Sequence, residues 1–209
     1  MAENGDGIII KRLLECEDVA PDTPDQDGRT PLSFAAENGY EDVVKMLLRR
    51  KSVAPDTSDK DGQTPLSWAG EVGIVEMLLE RGDVAPDTPD KDSRTPLWWA
   101  VEYEPADVVK LLLGREEVTP NTADKDGRTP LLRAFENGCE TIVKMLLERE
   151  DVSPNTVAQC GQTPLLCAAQ NRSEEIMLML LERGDVTPDI SDEDGRTPLS
   201  WAAENGHND

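Results

Sequence analysis

The side chains of this 209-residue sequence best suited to chemistry are carboxylates, and they recur as Asp-x-Asp-Gly, for example at Asp25–Gly28, Asp59–Gly62 and Asp192–Gly195. Clustered acids followed by glycine invite a calcium loop. An EF-hand loop also needs an acidic first position and a glutamate six residues beyond its glycine. Counted from Gly28, those places hold Thr23 and Phe34. The EF-hand pattern fails, and aspartates that initiate turns explain the motif. Hydrolysis by two carboxylates needs acids that converge in one pocket with different surroundings, whereas these acids sit in repeated, solvated turns. The single histidine, His207, lies near the C-terminal end, and Cys16, Cys139, Cys160 and Cys167 form no Cys-x-x-Cys pair. No nucleophile–base pair and no zinc-ligand set emerges, and glycine-rich phosphate loops are absent. The expectation is a protein without catalytic residues, cofactor or metal.

Composition narrows the class further. Hydrophobic residues make up 37%, aromatics 4% and charged residues 31%, with 15 Gly and 15 Pro. A chain this polar would stay disordered if its apolar residues were scattered. They are gathered in short blocks such as Val43-Val44-Lys45-Met46-Leu47-Leu48, which predicts a thin, extended core. The net charge of −22 disfavours nucleic acid, whose phosphates demand Lys/Arg stripes, and disfavours anionic membrane surfaces. Such a field either steers in a protein partner with a basic surface or serves only to keep an elongated protein in solution. Unpaired cysteines fit a reducing compartment. The acidic start and the lack of a long apolar run point away from secretion and membrane insertion, so an intracellular, cytoplasmic or nuclear location is expected.

These residues are placed by a repeat. Thr-Pro-Leu begins at Thr30, Thr64, Thr95, Thr129, Thr163 and Thr197, at intervals of 34, 31, 34, 34 and 34 residues. Periods of this size mark solenoids, in which each unit leans on its neighbours to bury its apolar side. Thr30 suits an N-cap and Pro31 the first helical position. Leu32, Ala35 and Ala36 follow at helical spacing, and Asn38-Gly39 stops the helix. A second helix from about Glu41 carries Val43, Val44, Leu47 and Leu48 on one face, with acids at its start and Arg49-Arg50 at its end. The run from Ala54 to Gly62 is turn chemistry. Each unit is therefore helix, turn, helix and projecting hairpin-like loop.

Residues 27 to 48, Asp-Gly-Arg-Thr-Pro-Leu-Ser-Phe-Ala-Ala-Glu-Asn-Gly-Tyr-Glu-Asp-Val-Val-Lys-Met-Leu-Leu, closely resemble the ankyrin repeat. The resemblance extends over the whole chain, and the 34-residue variant carrying Ser-Trp-Ala-Ala is similar to arrays common in fungal proteins. It implies an all-α ankyrin solenoid in one domain, 1–209. A half-repeat over 1–19 opens it, full repeats start near 28, 62, 93, 127 and 161, and a half-repeat over 195–209 closes it. Sequence departures qualify this. The family's histidine after Thr-Pro-Leu is replaced by Ser33, Ser67, Trp98, Leu132, Leu166 and Ser200. The short repeat, Trp68 to Met77, lacks the counterparts of Tyr40, Glu41 and Asp42, which predicts a second helix without its first turn and a local kink. Glu104-Pro105 and Arg172-Ser173 stand where Gly39-Tyr40 turns. The ends expose Ile8, Ile9, Ile10 and an unsupported Trp201, so head-to-tail self-association through the half-repeats is expected, or a segment of a longer array.

The aromatic slot of Phe34, Trp68, Trp99 and Trp201 is expected to pack its helix in the core, although Arg133 and Cys167 in the same slot show that it tolerates polarity. Trp98, Leu132 and Leu166 form either an exposed apolar strip along consecutive first helices or inter-repeat packing in place of the histidine. In ankyrin proteins partners usually dock on the concave surface of hairpins and first helices. By position this nominates Gln63, Trp98, Glu102, Tyr103, Lys125, Arg128, Leu132, Arg133, Gln162 and Leu166. The implied function is non-enzymatic protein recognition. The alternatives are a spacer or targeting segment of a larger protein, and small-ligand binding or catalysis in the concavity beside Trp98.

Overall fold

The computed structural model describes residues 6–16 and 18–206; His207 lies outside them. Twelve α-helices follow one another among these residues: α1 (Asp6–Glu15), α2 (Pro31–Glu37), α3 (Glu41–Leu48), α4 (Pro65–Trp68), α5 (Val72–Leu79), α6 (Pro96–Tyr103), α7 (Ala106–Leu113), α8 (Pro130–Glu136), α9 (Glu140–Leu147), α10 (Pro164–Gln170), α11 (Glu174–Glu182) and α12 (Pro198–Asn205). They divide into two compact units, Met1–Lys91 and Asp92–Asp209.

The even-numbered helices all start alike. Thr30, Thr64, Thr95, Thr129, Thr163 and Thr197 each accept the backbone N–H three residues on, with proline at the first turn. Such a cap satisfies an amide that the helix leaves open and is worth about 1 kcal/mol. In the first unit α2 packs on α3 and α4, and α3 on α1 and α5; in the second, α6 packs on α7 and α8, α8 on α9 and α10, and α10 on α11 and α12, with α9 against α7 and α11. Each unit thus has two layers, even-numbered inner helices and odd-numbered outer ones. The seam between layers and repeats is the core, fully buried at Leu32, Val44, Ile74 and Leu78 in the first unit and at Leu97, Val109, Ala134, Leu146 and Leu180 in the second.

The short repeat is built differently from the sequence expectation. Its outer helix α5 keeps eight residues, and the inner helix α4 shrinks to four. Ile74, Val75 and Leu78 of α5 are fully buried. Deleting a turn there would strip them from the core, so the loss falls on α4, which ends at Ala69 in extended conformation. Turns at the inner-helix ends need a left-handed residue. Gly39 and Gly138 supply it at φ 73° and 72°, while Glu104 and Arg172 adopt it without glycine, at φ 66° and 58°.

The loops earn their order from aspartate. Asp25, Asp59, Asp124 and Asp192 each accept, through one carboxylate oxygen, the backbone N–H groups two and four residues on. Successive loops are then laced by backbone bonds: Lys60 N to Asp27 O at 2.8 Å and Lys91 N to Asp61 O at 2.8 Å in the first unit, Lys125 N to Asp92 O and Gln159 N to Asp126 O at 3.0 Å in the second. At the far ends of the outer helices, arginines tie repeats together. Arg81 donates to Leu48 O and Val53 O, Arg149 to Leu113 O, Arg115 O and Val118 O, and Arg183 to Arg149 O, Glu150 O and Val152 O.

One further rung differs between the units. In the second, Asn121 accepts Ser153 N–H and donates to Asp151 O, and Asn155 accepts Thr187 N–H and donates to Asp185 O. In the first, Asp22 and Asp56 accept Ala54 N–H and Ala85 N–H in the same way, but Oδ1 of each is buried without a donor. A carboxylate has no proton for the carbonyl that the asparagine amide would reach. Burial accordingly pushes the Asp56 carboxyl above its usual range, against the Ala85 N–H, which lowers it. Asp22→Asn and Asp56→Asn each raise stability by about 1 kcal/mol, measured by urea unfolding at pH 7. For Asp56 the folded form holds its proton more tightly than the unfolded form. The native chain therefore recovers stability at this rung as pH falls through the folded-state value, and the advantage of Asp56→Asn shrinks in acid. An equal or less stable asparagine variant at pH 7 would contradict the assignment of this rung.

Candidate interaction surface

The nominated residues separate by burial. Gln63 belongs to the first unit and is buried. In the second unit Trp98, Leu132 and Leu166 are each no more than 3% exposed. They occupy the third position after the Thr cap, and each gives its backbone N–H to that threonine, so the side chain is directed into the inter-repeat seam. Trp98 reaches the next repeat, where its indole Nε1 donates to Arg128 O at 3.3 Å. These residues are packing that replaces the family's histidine, and Gln63, Trp98, Leu132 and Leu166 are withdrawn from the contact surface. No partner can touch a side chain that the neighbouring repeat already covers.

One residue further along, the aromatic slot is not core. Phe34 is exposed, and Trp68, Trp99 and Trp201 are half-buried. The slot is roofed by arginine. Arg29 lies over Phe34 and Trp68 at 4.2 and 4.3 Å, Arg94 over Trp99 at 4.3 Å, and Arg196 over Trp201 at 3.4 Å. Trp68 and Trp201 also donate to Asp59 and Asp192, the turn-forming carboxylates. Trp201, which the sequence left unsupported, therefore has both a cation and an acceptor. A guanidinium over an indole contributes about 0.5–1 kcal/mol at an exposed site.

The most open aromatic is Tyr103, 62% exposed. It lies four residues after Trp99 on α6, and the two rings stack at 5.6 Å and 16°; Trp98 meets Trp99 edge-on from below at 5.3 Å. Around this pair stands a charged frame. Arg133 forks onto Glu102, with Nη2 at 2.7 Å from Oε1 and Nε bonded to Oε2, and its Nη1 reaches Glu136 at 2.7 Å. Arg133 holds the Glu102 carboxyl well below its ordinary range, and Glu102 raises the guanidinium in return. Asn137 adds bonds to Val101 O and Glu102 O. Lys125 pairs with Asp92 at 2.9 Å and depresses that carboxyl, while Arg128 pairs with Asp124 and Asp126 at 2.9 and 2.5 Å. Gln162, half-buried, accepts the Cys167 S–H at 3.4 Å. Burial pushes the Cys167 thiol up to about 12, far from a thiolate nucleophile.

The structure thus brings Glu102, Tyr103 and Arg133 together on α6 and α8, beside the loop cations Lys125 and Arg128. Trp99 belongs to the same surface and was assigned to the core from sequence. Its spacing of four from Tyr103 on one helix was the signal that could have found it. Among the described residues no cluster of three or more His, Cys, Asp or Glu is arranged to hold a metal ion, and no helix is long and apolar enough to cross a membrane. What this arrangement offers is a stacked aromatic pair set in fixed charges on paired helices.

Stacked helix pairs carrying variable inner-face residues define a repeat scaffold for interaction. The family model described as ankyrin repeats (3 copies) matches residues 1–90, 71–157 and 150–209, and the chain belongs to the ankyrin-repeat family. Its fold is the all-α ankyrin-repeat solenoid of helix-turn-helix units, one that generally serves as a non-enzymatic module for binding proteins. The chain is similar to the ankyrin repeat domain of Bcl-3, a member of the IkappaB protein family, at 25% identity and a TM-score of 0.80 over 96% of this chain and 90% of that one. An ankyrin repeat domain from Acinetobacter baumannii AYE is 27% identical, with a TM-score of 0.71, over 85% of this chain and 92% of that one. No curated protein matches the chain significantly.

Proposed function

We propose that the chain is a non-enzymatic recognition scaffold that binds a protein through the inner-helix face of its second unit, centred on Tyr103 and Trp99. The observation that carries this is the exposed Tyr103 stacked on the half-buried Trp99, beside the Arg133–Glu102 fork. Aromatics and arginines held rigidly lose little entropy on binding and dominate interface energies. Lys125, Arg128 and Gln162 form the polar rim of this surface. The net charge of −22 selects a partner with basic groups and speeds its approach. Four unpaired thiols suit a reducing, intracellular setting.

The test is capture of a partner from lysate by the native chain, followed by titration of the same partner with Tyr103→Ala. An exposed tyrosine can be removed with little effect on stability, so affinity is read cleanly. The expected result is binding weakened about 30-fold, with native affinity also falling as salt rises. Undiminished binding by a folded Tyr103→Ala would move the site elsewhere, and failure to capture any specific partner would favour a spacer role.

A further inference from the structure

We infer that a second copy of this chain docks head-to-tail, its α12 seated in the apolar groove beside α1 and α2 of the first unit. The groove has a volume of about 330 Å³ and is lined by Ile10, Leu13 and Leu14 of α1, Phe34 and Ala35 of α2, and Leu47 of α3. No helix among the described residues covers it. Its lining is apolar on every side, the surroundings that the inner helices α8 and α10 meet within the second unit.

The opposite end of the chain presents a helix of the matching kind. On α12 Leu199 is 75% exposed, whereas its counterparts Leu131 and Leu165 are buried; Leu178 and Leu181 of the neighbouring α11 are also exposed. Leu178 occupies a place that Lys45, Lys110 and Lys144 fill in other repeats, so this end is more apolar than the repeat pattern requires. In register, Gly206 corresponds to Gly39 and so to Gly5, which precedes Asp6, the first residue of α1, in the sequence. α12 of one copy and α1 of the next therefore make one complete inner–outer pair.

Two side chains identify the occupant more sharply than apolarity does. Arg29 is sandwiched between the slot aromatic of its own repeat, Phe34, and that of the next, Trp68. Arg196 is its counterpart: it pairs with Glu204 as Arg29 pairs with Glu37, and lies over Trp201. Among the described residues Trp201 alone stacks on Arg196, and the arginine side chain is more exposed than that of Arg29, 32% against 17%. The exposed Phe34 of a docked copy is the aromatic that completes this sandwich. Second, Asn137, Asn171 and Asn205 each donate backwards to the preceding inner helix, at Val101 O, Phe135 O and Ala169 O. Asn38 instead folds onto Phe34 O of its own helix at 2.9 Å. The next acceptor in that series is Ala203 O, on the α12 of a docked copy.

Such contacts are heterologous, so association continues beyond a dimer unless the geometry closes. The test uses the full chain and its variants in analytical ultracentrifugation over a wide concentration range. Leu199→Glu disables α12, and Phe34→Arg disables the groove by setting a second cation against Arg196. Both changes are at exposed positions, and arginine already occupies the Phe34 slot in the form of Arg133, so both variants fold, as circular dichroism would check. The native chain associates with rising concentration, more so at high salt, where repulsion between two acidic chains is screened. Each variant alone associates at least about tenfold more weakly. An equimolar mixture forms a capped 1:1 dimer, since one intact helix meets one intact groove. A native chain that stays monomeric throughout overturns the inference, as does undiminished association by Leu199→Glu or a mixture that forms no dimer.

Discussion

Trp98→Ala lowers the stability of the chain by about 3–5 kcal/mol, the range for truncating a large buried aromatic. The side chain lies almost wholly within the seam of the second unit, edge-on to Trp99 and 5.5 Å from the guanidinium carbon of Arg133. Its removal leaves a void and takes away one of the two donors to Arg128 O, which keeps the Asp124 N–H at 3.0 Å, so the void sets most of the cost. Urea unfolding measures the change directly, and a loss below about 1 kcal/mol would show that the seam closes around a smaller residue. The contrast with Tyr103→Ala matters for function: the two residues lie five apart on one helix, yet one carries the fold and the other the surface. Loss of partner capture by Trp98→Ala would report damage to the scaffold, not a lost contact.

Gly62→Ala destabilises the first unit by about 2–3 kcal/mol. Gly62 adopts φ 88°, where an L-residue costs about 1–2 kcal/mol. A Cβ there would also stand 3.0 Å from Asp90 Cα and Lys91 N. Both are backbone atoms of the next loop, held by the 2.8 Å bond from Lys91 N to Asp61 O, so relief requires breaking that rung. Gly138→Ala is the control. It shares the left-handed conformation, at φ 72°, but a Cβ there meets nothing within 4 Å, so only the conformational cost of about 1 kcal/mol applies. Equal losses for the two variants in parallel unfolding would contradict the close loop stacking.

How far these properties were legible in the sequence depended on whether one repeat sufficed to decide them. The Thr-Pro start, the Asn-Gly stop and the aspartate turns are local, and the structure places them as the residues imply. Properties set by a neighbouring repeat were not legible. From sequence the three-residue deletion falls on the second helix, whereas it is the first that shortens; only the full burial of Ile74, Val75 and Leu78 shows why the outer helix is preserved. Trp98, Leu132 and Leu166 could face solvent or the seam, because apolarity along a helix does not state which side a neighbour occupies. Trp99 was placed in the core for the same reason, although its slot lies at the margin beneath arginine. Residue type found the right helix, and packing between repeats decided which of its faces is free.

The central claim, that the face of α6 and α8 carrying Tyr103 recognises the partner, is tested most directly by hydroxyl-radical footprinting of the native chain with and without its captured partner. The account predicts that oxidation of Tyr103 and Trp99 falls severalfold in the complex, while the exposed Leu178 and Leu181 of α11 are oxidised as before. Unchanged oxidation of Tyr103 and Trp99, with protection appearing on the outer helices, would contradict it.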